Sequence, residues 1–274
     1  MTDRYAVLGH PIGHSKSPLI HSLFAQATAQ DIVYTAIEPA LDGFADAVRA
    51  FRDSGGRGIN VTLPFKLQAF EIASAPSERA RLAGAANCLR FGDGGLIEAD
   101  NFDGVGLVRD LQHNLAAPLA GKRVLLLGAG GATRGALLPI TAEQPQLLAV
   151  ANRTADKAHA LRRDFAAHAA LQTSGYAELA GQSFDVVINA TSSGLSQDTL
   201  PLPDGLFAPG ALAYEMVYGK GLTPFLRQAQ AAGVQRVADG VGMLVEQAAE
   251  AFQWWRGMRP DTAAALQRLT VPLV

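Results

Sequence analysis

The sequence has little of what marks secreted, membrane or nucleic-acid-binding proteins. Its 274 residues include one cysteine, Cys88, so an intrachain disulfide is impossible and a reducing cytoplasm is the expected compartment. A formal net charge of -2 provides no basic field for nucleic acid. No apolar run is long enough to span a bilayer, and the first residues lack the basic-then-apolar pattern of a signal peptide. With 49% hydrophobic and 18% charged residues, the chain is instead typical of a globular protein with two modest domains.

A glycine-rich turn after an apolar run is the most informative motif. Residues 124–127 predict a buried parallel strand, and the turn that follows can present backbone N–H groups at a helix start to a pyrophosphate. Thr133 replaces the third glycine of the dinucleotide-binding fingerprint, so an ordinary strand-to-helix turn is the alternative. The residues of the turn are Gly128, Ala129, Gly130, Gly131 and Ala132.

The next predicted strand, residues 147–151, indicates which dinucleotide would bind. An acid that reads a ribose hydroxyl is expected about twenty residues after the glycines, and none is present. The chain has Asn152, Arg153, Thr154 and Lys157 there, whose cations and hydroxyl suit a ribose 2′-phosphate. These residues favour NADP over NAD. The alternative is that Thr154 only caps a helix and the cations form a solvated face.

The first hundred residues predict a second α/β unit. Strands are expected over 5–8, 32–37 and 58–62, and the two intervening helices make the arrangement a parallel β-α-β-α-β sheet. Ser17 is expected to cap the first of these helices, with Pro18 at its first position. The second helix is expected over residues 41–51.

Polar residues lie at and just after the carboxyl end of the third of these strands, at the edge where ligands of α/β sheets bind. Asn60, Thr62 and Lys66 are therefore candidate site residues. Pro64 is expected to open the next helix, which would place Lys66 in its first turn, where the helix dipole favours release of a proton from an ammonium. An exposed helix lysine is the alternative.

Two further residues stand out at predicted element ends. Asp103 precedes a helical pattern and could be only its N-cap, or could pair with an ammonium and a substrate hydroxyl. A long helix is expected over 241–256, and Gln247 lies off its apolar stripe, where a polar group needs a partner. No metal site is expected, because Pro11 and Gly13 keep His10 and His14 from sharing a helix.

In this order, these motifs resemble the shikimate dehydrogenase family. The resemblance implies two α/β domains with a cleft between them. Residues 1–103 and 239–274 would form a substrate domain with a mostly parallel sheet, to which the C-terminal helices return, and residues 104–238 would form a Rossmann-type NADP-binding domain. The implied reaction is the NADPH-dependent reduction of 3-dehydroshikimate to shikimate in aromatic amino-acid biosynthesis. The matching stretches are 9–18, 60–66, 83–87, 100–104, 128–132, 152–154, 189–194 and 239–244.

The same resemblance assigns roles to individual residues. Lys66 and Asp103 would be the catalytic pair, and both would also contact the substrate. The other implied substrate contacts are Ser15, Ser17, Asn60, Thr62, Asn87, Tyr218 and Gln247. The implied cofactor contacts are Glu78, Gly128, Ala129, Gly130, Gly131, Ala132, Asn152, Arg153, Thr154, Lys157, Thr191, Met216 and Gly240.

The chain departs from the family pattern at two positions. Phe102 and Cys88 stand where threonine is common, so a hydroxyl that can contact the substrate is missing.

A quinate/shikimate dehydrogenase that uses NAD, and a non-catalytic shikimate-sensing protein, are the alternative functions. The expected partner is a small-molecule substrate, with no nucleic acid and no membrane, and the expected state is a monomer or a homodimer.

Overall fold

The computed structural model describes residues 2–191, 199–219 and 221–273. Ser192, Ser193 and Gly194 of the predicted 189–194 motif, and Lys220, lie outside these residues. The chain divides into two compact units: Met1–Gly106 with Val245–Arg268, and Leu107–Leu244 with Leu269–Val274. Within the described part of the chain, no helix has the length and apolar composition needed to cross a membrane.

Strands and helices alternate through most of the chain. The first half contains β1 (Asp3–Leu8), α1 (Ser17–Ala27), β2 (Ile32–Ile37), α2 (Phe44–Asp53), β3 (Gly56–Val61), α3 (Lys66–Glu71), β4 (Ala75–Pro76), α4 (Glu78–Ala83), β5 (Cys88–Phe91), β6 (Ile97–Asp100) and α5 (Asp103–Arg109). The second half contains β7 (Arg123–Leu127), α6 (Gly131–Ala142), β8 (Leu147–Ala151), α7 (Ala155–Asp164), β9 (Leu171–Ser174), β10 (Phe184–Asn189), β11 (Phe207–Glu215), α8 (Pro224–Ala231), β12 (Arg236–Ala238), α9 (Val241–Arg256) and α10 (Ala263–Leu269).

The first unit is built on a six-stranded sheet of order β2-β1-β3-β5-β6-β4. β1 pairs in parallel with β2 and β3, whereas β5 is antiparallel to both β3 and β6. One face carries a buried cluster that includes Phe44, Ile59 and Phe65. The parallel pairing of β1, β2 and β3 agrees with the pattern expected from the sequence.

The second unit contains a parallel six-stranded sheet of order β12-β11-β10-β7-β8-β9. Numbered along the chain from β7, this is the 3-2-1-4-5-6 order of dinucleotide-binding folds. The connections leave β7 and its neighbour β10 in opposite directions, so a crevice forms beyond their carboxyl ends. The predicted two-domain α/β class with a Rossmann-type sheet is confirmed.

Two predicted helix starts are wrong. Lys16, and not Ser17, occupies the N-cap of α1, and no side chain caps this helix. α3 begins at Lys66 after the N-cap Phe65, two residues later than the predicted start at Pro64. The delay follows from a turn, because the Phe65 N–H donates to the Thr62 carbonyl over 3.0 Å before the helical pattern begins. Lys66 still lies in the first turn, as predicted.

Candidate active site

A lysine and a carboxylate meet at the predicted position in the first unit. Lys66 Nζ donates to Asp103 Oδ2 over 2.5 Å, and the two side chains are 28% and 15% exposed. Each residue opens a short helix, α3 and α5, so their backbones are fixed by regular structure. The pair is thus partly shielded but still reachable by a small molecule.

Asn87 holds the second oxygen of this carboxylate. Its Nδ2 donates to Asp103 Oδ1 over 2.7 Å and also approaches Gln247 Oε1 at 3.2 Å. The Asn87 Oδ1 accepts the N–H of Phe102 over 2.9 Å, which fixes which way the amide faces. Gln247 therefore has the polar partner that its place off the apolar stripe of α9 requires. The four candidate residues Lys66, Asn87, Asp103 and Gln247 form one hydrogen-bonded cluster.

Asn60 and Ser17 are linked through a residue that the sequence did not single out. The Tyr34 hydroxyl donates to Asn60 Oδ1 over 2.7 Å, and the Ser17 side chain is hydrogen-bonded to the same tyrosine. Asn60 Nδ2 is directed at the Asn87 carbonyl, 3.4 Å away. Because the Tyr34 hydroxyl occupies Oδ1, the Asn60 amide is oriented with its NH₂ group towards the Asn87 carbonyl.

The loop before α1 is held against the end of β3. The His10 N–H donates to the Leu63 carbonyl over 3.0 Å, and a Cβ on Gly9 would lie 2.4 Å from Thr62 Cγ2. Only glycine permits this approach. Ser15 Oγ in turn accepts the Ser17 N–H at 3.3 Å. The predicted Ser15, Ser17 and Thr62 therefore belong to two segments that contact each other.

His21, in α1, is fully buried next to Tyr34. Its ring stacks on Tyr34 with centroids 4.1 Å apart, next to the Asn60 side chain. Burial disfavours the charged imidazolium and lowers the pKa of His21 from 6.5 to about 3. His21 is thus neutral in the folded protein over the physiological range.

We expect this buried histidine to make the protein less stable in mild acid. Between about pH 6.5 and pH 3 only the unfolded state binds the proton, so the free energy of unfolding falls as the pH falls, by about 2 kcal/mol at pH 5. In His21→Leu this contribution disappears. Urea unfolding at pH 7.5 and pH 5 measures the difference, and the exposed His113→Leu serves as control. An equal pH dependence in the wild type and His21→Leu would contradict the expectation.

The two departures from the family pattern pack together. Cys88, Phe102 and Ala251 form a buried cluster, and the Phe102 ring meets Trp254 edge to face at 5.7 Å. The Arg79 guanidinium lies 5.3 Å from the centroid of the Phe102 ring. Phe102 is therefore part of the core of the first unit, whereas its neighbour Asp103 carries the polar cluster.

The glycine-rich turn in the second unit has the shape needed for a dinucleotide. A Cβ on Gly128, whose φ is +106°, would lie 2.9 Å from Thr191 Cγ2, so glycine is required there. A Cβ on Gly130 or Gly131 would meet nothing within 4 Å, which leaves open space before the first turn of α6. Thr133 is fully buried, and its hydroxyl donates to the Gly128 carbonyl over 2.8 Å. This bond closes the turn at the position of the missing third glycine. Ala129 and Ala132 lie in the same turn.

The residues after β8 have the form of an anion site. Asn152 Nδ2 donates to the Thr154 carbonyl over 2.9 Å, and Thr154 occupies the N-cap of α7 without its side chain capping the helix. The hydroxyl is thus not used as the cap that the sequence allowed. Arg153 and Lys157 are exposed, and neither forms a salt bridge within the described residues. Together with the open turn, these groups fit a dinucleotide with a 2′-phosphate.

The ends of β10 and β11 supply the remaining cofactor candidates. Met216 N–H donates to the Asn189 carbonyl over 3.0 Å, beside Thr191. A Cβ on Gly240 would lie 2.2 Å from the Met216 carbonyl oxygen, so this close approach also requires glycine. Thr191, Met216 and Gly240 are thus brought to one edge of the second sheet.

Two predicted residues belong to a different unit from the other residues with the same predicted role. Glu78 is an exposed residue in the first turn of α4, in the first unit, whereas the other proposed cofactor contacts are in the second. A carboxylate in the first turn of a helix is also stabilised by the positive end of the helix dipole, which explains an acid here without a cofactor. Tyr218 follows β11 in the second unit, and burial raises the pKa of its hydroxyl. Their predicted roles stay predictions.

Sequence comparisons identify the family to which this chain is related. The shikimate dehydrogenase substrate-binding domain matches residues 7–89, the shikimate/quinate 5-dehydrogenase family matches 110–197, and the shikimate 5′-dehydrogenase C-terminal domain matches 240–270. A shikimate dehydrogenase (NADP⁺) from Dechloromonas aromatica is 58% identical over 274 residues, which is 100% of both chains. The chain belongs to the shikimate dehydrogenase family.

Solved structures agree with this membership in the shikimate dehydrogenase family. The crystal structure of an enzyme named Ael1 from Pseudomonas putida is 59% identical and covers 100% of both chains, with a TM-score of 0.95. A Thermus thermophilus shikimate 5-dehydrogenase in complex with NADP(H) and shikimate is 32% identical, covers 98% of this chain and 100% of that chain, and has a TM-score of 0.85. The family resemblance inferred from the sequence motifs is confirmed.

Proposed function

We propose that this chain catalyses the reversible, NADPH-dependent reduction of 3-dehydroshikimate to shikimate, as an oxidoreductase of aromatic amino-acid biosynthesis. The observation that carries the proposal is the contact between Lys66 Nζ and Asp103, whose second oxygen is held by Asn87. A ketone reduction needs a positioned cation that can also donate a proton to the carbonyl oxygen. The Lys66 ammonium has both properties.

We assign the catalytic steps to this pair. The cofactor, when bound, supplies a hydride to the carbonyl carbon. Lys66 stabilises the negative charge that grows on the carbonyl oxygen and donates a proton to it. Asp103 orients the ammonium through Oδ2 and can accept a hydrogen bond from a neighbouring substrate hydroxyl. Because Asn87 donates to Oδ1, the carboxylate keeps one orientation during the reaction.

The substrate would be held by polar groups around this pair. Ser15 and Ser17 suit its carboxylate, since hydroxyl groups donate well to anions. Asn60 offers the NH₂ group that Tyr34 directs, as described above. The remaining substrate contacts that we propose are Thr62, Asn87, Tyr218 and Gln247.

NADP would be held by the second unit. The open turn at Gly130 and Gly131 suits the pyrophosphate, and the cations of Arg153 and Lys157 suit the 2′-phosphate. We assign residues 104–238 to a cofactor domain, and residues 1–103 with 239–274 to a substrate domain. The compact units differ from this assignment in residues 104–106, which belong to the first unit, and in residues 239–244 and 269–274, which belong to the second. The further cofactor contacts that we propose are Glu78, Gly128, Ala129, Ala132, Asn152, Thr154, Thr191, Met216 and Gly240.

We further propose a cytoplasmic location for this enzyme. One cysteine in 274 residues is typical of a chain that works in the reducing cytoplasm. We propose a small-molecule substrate with no nucleic-acid or membrane partner, and a chain that works as a monomer or a homodimer.

Loss of NADPH absorbance with purified protein and 3-dehydroshikimate tests the function directly. We expect fast turnover with NADPH, much slower turnover with NADH, and no oxidation of quinate in the reverse direction. Efficient oxidation of quinate with NAD would overturn the assignment in favour of a quinate/shikimate dehydrogenase. Tight binding of shikimate without any turnover would indicate a non-catalytic shikimate-sensing protein instead.

A further inference from the structure

Glu215, the last residue of β11, is a fully buried carboxylate to which no role has been given above. Its oxygens accept hydrogen bonds from three segments: from Asn189 Nδ2 over 2.8 Å, from the Thr223 hydroxyl over 3.0 Å and from the Val217 N–H over 3.3 Å. These donors lie at the end of β10, at the start of α8 and just after β11. One carboxylate therefore forms hydrogen bonds to three segments at the same edge of the sheet.

One of these contacts leads to the glycine-rich turn. Because Asn189 donates its Nδ2 to Glu215, its Oδ1 faces Thr191 and accepts both the N–H (3.1 Å) and the hydroxyl (2.7 Å) of that residue. The hydroxyl rotor of Thr191 is thereby fixed, and its methyl group lies where a Cβ on Gly128 would collide. Contacts thus run from Glu215 through Asn189 and Thr191 to the turn that we propose for the pyrophosphate.

A second contact leads to the other side of the proposed cofactor site. Glu215 accepts the Val217 N–H, and the Val217 carbonyl accepts the Gly240 N–H over 3.2 Å. Met216, between them, donates its N–H to the Asn189 carbonyl over 3.0 Å. The backbone around Met216 is thus held on both sides by Glu215 and its first partner.

Burial of an acid at this position lowers the stability of the folded protein. Residues 211–214 before it are buried, and burial raises the pKa of the Glu215 carboxyl. A buried carboxylate costs stability unless several donors compensate, and an apolar residue would complete the strand without that cost. The acid is explained if its task is to arrange the donors around it.

We propose that Glu215 is a positioning residue of the NADP site, which sets the places of Thr191 and Met216 without contacting the cofactor. The inference rests on the proposed function, since it presumes that NADPH binds at this edge of the second sheet. It predicts that loss of the Glu215 carboxylate weakens NADPH binding through the loops that Thr191 and Met216 belong to.

Titration of NADPH fluorescence with Glu215→Gln and Glu215→Ala tests the inference. We expect the Kd for NADPH to rise about tenfold in Glu215→Ala and less in Glu215→Gln, which keeps one carbonyl oxygen as an acceptor. Glu246→Gln is the matched control, because Glu246 is an equally buried carboxylate in the first unit, bonded to Arg259 and Thr262. It should lower the melting temperature and leave the Kd for NADPH unchanged.

A double-mutant cycle separates positioning from a general loss of stability. If Glu215 acts through Asn189 on Thr191, the effects of Glu215→Gln and Thr191→Val on the NADPH Kd are not additive. Additive effects, or an unchanged Kd in both Glu215 variants, would overturn the inference while the proposed function stands. A wild-type chain that does not bind NADPH would overturn both.

Discussion

Replacement of Lys66 by alanine is expected to lower kcat by about 100- to 10,000-fold and to change the KM for 3-dehydroshikimate little. The alanine leaves no proton donor and no cation beside the carbonyl oxygen, and both matter mainly in the transition state. The substrate carboxylate is proposed to be held by Ser15 and Ser17, on other segments of the chain. Binding of the substrate should therefore survive the loss of the ammonium.

Steady-state rates at saturating NADPH measure this effect. Lys122→Ala is a suitable control, since Lys122 lies in the second unit with its ammonium 3.9 Å from Asp185 and has no place in the proposed site. Near-normal kcat in Lys66→Ala would remove Lys66 from the chemistry. A large rise in KM with kcat unchanged would show that Lys66 binds the substrate and takes no part in proton transfer.

Replacement of Arg153 by alanine is expected to raise the KM for NADPH about 10- to 100-fold and to leave the KM for NADH nearly unchanged. A charge-assisted hydrogen bond to the 2′-phosphate would be lost, and NADH has no such phosphate. Arg153 has no carboxylate partner among the described residues, so its removal leaves no unpaired acid behind. The ratio of the two kcat/KM values reports the change in specificity.

Arg162→Ala is the matched control for this specificity test. Arg162 is an equally exposed arginine near the other end of α7, so the variant removes the same charge away from the proposed 2′-phosphate site. It should leave both KM values unchanged. A loss of equal size for NADPH and NADH in Arg153→Ala would contradict a role in reading the 2′-phosphate.

Elements with a continuous apolar signal could be predicted well. β8 and α9 have the bounds expected from the sequence, because one is an unbroken buried strand and the other a long helix with one apolar stripe. The start of α3 could not be placed, since a turn at Pro64 and a helix start at Pro64 have the same local sequence. β4 and β12, with two and three residues, are too short to show periodicity.

The proposed site shows a similar division. The candidates at strand ends, Asn60 and Lys66, could be predicted because topology places ligands there. Tyr34, inside β2, and Glu215, at the end of β11, could not, because the role of each depends on a partner 26 residues away in sequence. The only sequence signal for Glu215 is an acid that ends a buried apolar strand, which marks a buried polar group and not its partners.

The cluster of Cys88, Phe102 and Ala251 has an evolutionary consequence. Threonine at position 102 alone would leave a cavity where the Phe102 ring now packs and would bury a new hydroxyl beside the thiol. Threonine at 88 alone would place a hydroxyl among the aromatic rings. Because both positions belong to one buried cluster, the effects of Phe102→Thr and Cys88→Thr on the free energy of unfolding should not be additive, and scans that change one residue at a time would not report their combined effect.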